Sequence, residues 1–299
     1  SITVNGRKVD VPEGTTLLKA AEDMGLQVPT LCHHPAVADS GNCRVCLMEE
    51  EGTGRLITAC DTQAKEGMAV RLDTSKVLDA RRAILQLIFS GHPLHCEVCE
   101  SNNACELKKL ATEAGISGIE LPLIQGFRPV VDANPFYLRD LSKCISCGLC
   151  VRACQRVQGV GTYEFQGVGK DTRPATSMDG SVDESVCEYC GLCASICPVG
   201  ALIQKPPLHK GSEEESVITT CPYCGVGCIM ELLVRDNKII GVRAGVPGSV
   251  NAYSLCVKGR FGLDFVDHPE RLTQPLIRKE GELVEVSWEE ALDEVASRL

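Results

Sequence analysis

Two stretches of four cysteines constrain this chain more than anything else in it. Cys144, Cys147, Cys150 and Cys154 read C-x2-C-x2-C-x3-C, and Cys187, Cys190, Cys193 and Cys197 repeat the spacing, with Pro198 after the last. Zinc takes four ligands per site, usually as two separated pairs, so four cysteines inside eleven residues, twice, fit it poorly. The spacing fits two cubane iron–sulfur clusters, where three thiolates of each run grip one cluster and the fourth crosses to the other. On that reading Cys144, Cys147 and Cys150 group with Cys197, while Cys187, Cys190 and Cys193 group with Cys154.

Composition supports metal over disulfides. The 299 residues carry 19 cysteines against 1 Trp, 5 Tyr and 6 Phe. Such density means disulfides in a secreted chain or metal in an intracellular one, and an odd count leaves one thiol over in any full pairing. The start, Ser1-Ile2-Thr3-Val4-Asn5-Gly6, shows no basic segment followed by an apolar run, and no stretch approaches the ~20 apolar residues of a membrane span. A reducing, cytoplasmic setting is therefore expected. The formal net charge of -10 disfavours nucleic acid and favours a protein that docks with others. With so few aromatics, clusters are expected to replace part of the core, and folding to depend on ligation.

The remaining cysteines fall into three further sets. Residues 2–11 alternate as strand, Asn5-Gly6 turn and strand, and Thr15 or Thr16 caps a helix stopped by Gly25. Cys32, Cys43, Cys46 and Cys60 follow as C-x10-C-x2-C-x13-C, close to the plant-type [2Fe–2S] spacing but with a longer first gap. After a helix through Val77–Ile88, Cys96, Cys99 and Cys105 lack a fourth thiol. His92 is the expected fourth ligand of a [4Fe–4S] site, and His95 competes, though a residue adjacent to Cys96 would be cramped. A proline-led, charged stretch at 205–216 marks a linker. Beyond it Cys221, Cys224 and Cys228 read C-x2-C-x3-C, and Cys256 follows after 27 residues, one more [4Fe–4S] set. The five sets use every cysteine, which leaves no thiol for a nucleophile. Lys258 reads either as a solvated surface lysine or as a conduit between the last cluster and a neighbouring cofactor. Residues 166–186, rich in Gly, Asp, Ser and Thr, read as a surface excursion.

The order of these sites resembles a known family. Residues 1–205 look like the region shared by the large subunit of respiratory NADH dehydrogenase, the [FeFe]-hydrogenases and NAD-dependent formate dehydrogenases. The paired runs resemble the latter two more closely. Cys221-Pro222-Tyr223-Cys224-Gly225-Val226-Gly227-Cys228 and Cys256-Val257-Lys258-Gly259 resemble the start of molybdenum or tungsten bis-pyranopterin formate dehydrogenases. In that family the lysine matching Lys258 lies between cubane and pterin. The family's metal-ligating cysteine or selenocysteine, and the residues that handle formate, lie beyond Leu299.

The resemblance implies a multi-domain α+β chain. Its expected parts are a β-grasp [2Fe–2S] ferredoxin domain (1–75), a histidine-ligated [4Fe–4S] domain (76–135) and a two-cluster ferredoxin domain (136–205). A linker (206–216) then leads into the cluster-binding beginning of a Mo/W bis-pterin oxidoreductase domain (217–299). It implies one [2Fe–2S] and four [4Fe–4S] clusters, with a Mo or W bis-pyranopterin guanine dinucleotide held by sequence not present here. Implied partners are flavin (FMN) and NAD(P)-binding iron–sulfur subunits, in a higher oligomer of the complex. The alternative is an electron-carrying subunit of a hydrogenase-type or bifurcating complex with no pterin of its own.

Overall fold

The computed structural model describes residues 1–124, 129–131, 134–205 and 213–299. The chain divides into two compact units, Ser1–Phe261 and Gly262–Leu299.

The first unit begins with a five-stranded mixed sheet in the order β2-β1-β5-β3-β4. Its strands are β1 (Ile2–Val4), β2 (Arg7–Val9), β3 (Leu47–Glu50), β4 (Leu56–Thr58) and β5 (Ala69–Arg71). Asn5 and Gly6, with φ of 49° and 75°, supply the two left-handed residues that the tight β1–β2 turn needs. Helix α1 (Leu17–Asp23) starts where Thr16 Oγ1 accepts from Lys19 N at 3.2 Å. It buries Leu17, Leu18, Ala20 and Ala21 in one core with Ile2, Val4, Met48 and Val70, and Cys46 and Cys60 sit in that core.

Thr74 caps α2 (Ser75–Ser90), and Gly91 follows its last turn. The buried face of α2 meets that of α3 (Glu106–Glu113) in a second core of Leu85, Phe89, Leu107, Leu110 and Ala111. Leu31 and Val45, from the loops around the first four cysteines, belong to this same core, as do Val199 and Ala201 just past Cys197. The three stretches therefore share buried apolar surface, the dominant favourable term in holding them together.

Each cysteine run passes into a short helix that opens on a left-handed glycine: Gly148 before α4 (Leu149–Arg152) and Gly191 before α5 (Leu192–Ser195). Around them lie the sheet β10-β7-β6 and the hairpin β8–β9. These strands are β6 (Val130–Val131), β7 (Tyr137–Asp140), β8 (Glu164–Gln166), β9 (Arg173–Ala175) and β10 (Leu202–Gln204). The core they enclose joins Tyr137, Val151, Tyr163, Val182 and Leu202 to Cys150 and Cys193. The expected surface excursion at 166–186 holds only in part. Arg173, Pro174, Ala175 and Thr176 are buried, because β9 pairs with β8 and turns its residues inward.

Of the expected linker 206–216, residues 206–212 lie outside the described residues, and Glu215 and Ser216 already belong to β11 (Glu215–Thr220). β11, β12 (Ile229–Arg235) and β13 (Lys238–Arg243) form an antiparallel sheet, and the β12–β13 turn uses Asp236 and Asn237 at φ 51° and 56°. Helix α6 (Val257–Phe261) starts immediately after Cys256.

The second unit is a hairpin of β14 (Leu276–Lys279) and β15 (Glu282–Glu285) followed by α7 (Trp288–Arg298). Ser287 Oγ accepts from Glu290 N at 3.1 Å and caps α7, whose Trp288, Leu292 and Val295 are exposed. Among the described residues no helix is long and apolar enough to cross a membrane.

Candidate metal centres

The cysteines gather in groups, and none is in a disulfide. Cys32, Cys43 and Cys46 lie on one loop that curls through left-handed Gly41 and Arg44, at φ 59° and 58°, and Cys60 joins them from the turn after β4. Cys43 N donates to Cys32 Sγ at 3.4 Å. Sulfur–sulfur hydrogen bonds hold Cys43 and Cys46 below the ordinary thiol range and push Cys32 and Cys60 above it. Backbone N–H groups of Leu31, Val45, Ala59, Cys60 and Gly41 also reach sulfurs of this set. Two thiolates stabilised by backbone donors in a part-buried loop are a donor set suited to a small iron–sulfur cluster.

His92, Cys96, Cys99 and Cys105 line one cavity of about 220 Å³. His92 Nδ1 lies 2.8 Å from Pro93 O. A carbonyl only accepts, so Nδ1 carries the proton and Nε2 keeps the lone pair. Nε2 is buried and has no hydrogen-bond partner among the described residues. Burial lowers the imidazole's pKa and so favours the neutral form that binds metal. His95 also borders this cavity but is exposed. A Cβ on Gly200 would stand 2.9 Å from Cys99 Sγ, so only glycine lets the chain past Cys197 come this close.

In the paired runs thiols of each run act on thiols of the other, and Cys150 feels both Cys193 and Cys197. Burial pushes the Cys147, Cys150 and Cys193 thiols well up. Cys147 feels Cys197 and Cys144, and also Cys32 of the first set. Cys193 feels Cys190, Cys187 and Cys154. The cages are duplicates. Ser146 N donates to Cys144 Sγ at 3.3 Å and Tyr189 N to Cys187 Sγ at 3.4 Å, and both residues hold left-handed backbone, φ 52° and 53°. Thr162 N reaches Cys154 Sγ at 3.2 Å. Buried thiols that repel one another as anions are costly alone, and an iron–sulfur core offsets that cost, so the donor set fits such a group.

Cys221, Cys224, Cys228 and Cys256 form the fifth group. Cys228 is raised by burial and then by the other three, and Cys221 N donates to Cys228 O at 2.8 Å. Cys224, Cys256 and Lys258 are exposed at the surface. Among the described residues no three His, Cys, Asp or Glu side chains are arranged to hold a single metal ion.

Sequence reasoning missed the buried polar residues around these groups. Arg152, buried, donates Nη2 to Cys32 O at 2.6 Å and Nη1 to Cys147 O at 3.3 Å, and also bonds Ser40 Oγ. Tyr137 and Tyr163 share a hydroxyl contact of 2.9 Å, and Tyr137 Oη lies 3.7 Å from Cys187 Sγ. Arg260, four residues past Cys256, is buried and donates Nε to Cys190 O at 2.6 Å. Its spacing from Cys256 on a short helix was the one available signal.

Comparison with known proteins agrees with this order of groups. Residues 1–75 match a 2Fe-2S iron-sulfur cluster binding domain, and 81–120 the NADH-ubiquinone oxidoreductase-G iron-sulfur binding region. Residues 143–201 match a 4Fe-4S dicluster domain. Residues 214–268 match the molybdopterin oxidoreductase Fe4S4 domain, and 271–299 a molybdopterin oxidoreductase domain. A G-type NADH-quinone oxidoreductase subunit of Rhizobium meliloti is 37% identical over all of this chain. The alpha subunit of the NADPH-Fe(3+) oxidoreductase of Geobacter sulfurreducens is 32% identical, and the Bacillus subtilis protein named "Putative formate dehydrogenase YrhE" 34% identical. The chain spans 35% of the length of each of these relatives. A crystal structure of an NAD+-reducing [NiFe]-hydrogenase in the H2-reduced state matches 69% of this chain and 87% of its own, with TM-score 0.64 and 29% identity.

Proposed function

We propose that this iron–sulfur region, of the molybdopterin oxidoreductase and NADH-quinone oxidoreductase G type, is the electron-transferring part of a formate dehydrogenase alpha subunit. It would pass electrons between a formate/CO2 centre, a Mo or W bis-pyranopterin, and a flavin-containing, NAD(P)-reducing partner. The observation that carries this reading is the Cys221, Cys224, Cys228 and Cys256 group, inside a stretch that matches the molybdopterin oxidoreductase Fe4S4 domain and is followed by a molybdopterin oxidoreductase match.

We assign Cys32, Cys43, Cys46 and Cys60 to a [2Fe–2S] cluster. His92 with Cys96, Cys99 and Cys105 would hold a [4Fe–4S] cluster, as would each crossed set of the paired runs and the last four cysteines. When bound, these clusters supply one-electron transfer with little rearrangement. The chain's own part is to fix thiolates, give backbone N–H groups to sulfur and keep water out. The packing supports a fork rather than a single file. Arg152 and Asn42 tie the first set to Cys147, the latter through Nδ2 to Cys147 O at 3.3 Å. Gly200 brings the histidine set against the same half. Arg260 ties the helix after Cys256 to Cys190 in the other half. Lys258, two residues past Cys256, is proposed to face the pterin.

The second reading is an electron-carrying subunit of a hydrogenase-type or bifurcating complex with no pterin of its own, favoured by the likeness to an NAD+-reducing hydrogenase. Metal analysis and reduction of the clusters by formate in the intact complex separate the two. Mo or W with formate-dependent bleaching of the iron–sulfur absorbance is expected. Neither metal and no bleaching would leave the second reading standing.

A further inference from the structure

Cys147 and Cys190 hold the same position in the two cysteine runs, and the backbone carbonyl of each accepts from a buried arginine, Arg152 on one side and Arg260 on the other. The arginines differ in what holds the rest of the guanidinium. Arg152 spreads its donors over the carbonyls of Cys32 and Cys147 and the hydroxyl of Ser40. Arg260 is 2% exposed, and neither Nη1 nor Nη2 has a hydrogen-bond partner among the described residues. A buried cation without a counter-charge is strongly destabilising, so something anionic must face those two nitrogens. The groups that act on Arg260 with opposite charge are Cys190 and Cys193.

The approach is built, not incidental. Gly191 holds φ +69°, and a Cβ there would stand 2.6 Å from Phe261 Cζ and collide with Arg260 Cδ. Only glycine at that turn lets α6 lay Arg260 against the second cage. Phe136 seals the same place, its ring centroid 5.1 Å from that of Phe261.

We propose that Arg260 is the charge partner of the cluster held by Cys154, Cys187, Cys190 and Cys193, a positioning residue that makes this cluster easier to reduce than it would be without that charge. A fixed positive charge in a site of low dielectric favours whichever redox state carries more negative charge. The helix that begins after Cys256 supplies this charge, so the second cage is tuned by a residue of the stretch that carries the last set of four. The inference rests on the reading of that cage as a [4Fe–4S] site.

The test is an anaerobic reductive titration followed by electron paramagnetic resonance, with iron counted per chain, on the cluster-loaded full chain and its Arg260→Met and Arg260→Lys variants. In Arg260→Met, iron is retained and one cubane titrates at lower potential, its reduced-to-oxidised ratio at a fixed poise falling on the order of tenfold. Arg260→Lys keeps the charge and stays nearer to wild type. Full iron with an unchanged titration in the Met variant overturns the inference. If the Met variant loses about four irons, retention in Arg260→Lys upholds the charge partnership, whereas equal loss in both variants assigns the residue to packing and overturns it. Wild-type protein that lacks a second cubane signal sinks the cluster reading itself, a result separable from any behaviour of the variants.

Discussion

The two halves of the double-cubane unit are built alike and placed in different company. In each, the second residue past the first cysteine takes a left-handed backbone and gives its N–H to that cysteine's sulfur, and a left-handed glycine opens the helix that carries the third cysteine. A Cβ at Gly148 would meet Phe165 Cζ at 2.7 Å and Asn42 Nδ2 at 3.1 Å, whereas one at Gly191 would meet Phe261 and Arg260. The same local chemistry thus makes two cages, and what docks against each glycine gives it a role. The first half receives two flanking sites, the second half one. The duplicated motif repeats the local geometry, and only the neighbours of each copy differ.

The largest effect should come from breaking one cage and asking whether the other survives. Cys150 and Cys193 lie in the same core with Tyr137, Val151 and Tyr163. If that shared core makes the halves one folding unit, Cys193→Ser loses both cubanes, about eight irons, because ligation and folding are coupled. Iron analysis with hydrogen exchange over 137–204 checks it. Loss of about four irons, with protection intact around Cys144–Cys150, would show two independent cages.

Next comes the clamp on the first half. Arg152→Met strips a donor from each of two buried carbonyls, those of Cys32 and Cys147. A loss of about 2–3 kcal/mol is expected in denaturant unfolding of the loaded chain, with magnetic coupling between the [2Fe–2S] signal and its neighbour weakened. Unchanged coupling would mean that Asn42 and the apolar contacts of Leu31 and Val45 suffice to hold the first set in place.

The glycines give a finer comparison. Ala at either position must hold a left-handed backbone, at a cost of about 1 kcal/mol or more. At Gly148 the ring of Phe165, itself 41% exposed, can turn outward. At Gly191 the obstacle includes the buried Arg260, which cannot. Thermal melts should therefore place Gly191→Ala below Gly148→Ala, and the reverse order would show that the α6 contact is slack.

Local chemistry was legible in the sequence. The Asn5-Gly6 turn, the cap at Thr16 (one of the two threonines offered) and the cysteine spacing each depend on residues a few positions apart. What was not legible depends on distance along the chain. Arg152 meets Cys32 across 120 residues, and Arg260 meets Cys190 across 70. Both are charged residues in short helices, which propensity assigns to solvent, and only the docking of another segment buries them. Arg173 to Thr176 misled for the opposite reason. The Gly, Asp, Ser and Thr around them in 166–186 read as surface, yet strand pairing turns these four inward, and Arg173 carries its own counter-charge, Asp179, with it.

The smallest effect concerns the histidine set, which abuts the first half through Cys99 and Gly200. His92 has Nδ1 committed to Pro93 O at 2.8 Å and Nε2 buried without a partner among the described residues, while His95 is exposed. His95→Ala should therefore leave the iron count and every cluster signal as in wild type. His92→Cys should keep the iron too, but a thiolate in place of imidazole adds a negative charge, and that cluster's potential should fall. The shift should be felt more by the first half than by the second, since Gly200 brings the histidine set against the first. If His95→Ala loses iron and His92→Cys changes nothing, the ligand is the exposed histidine, and the orphaned Nε2 needs another partner. If the potential moves equally in both halves, the fork has no sides, and the difference between the two cages lies in Arg260 alone.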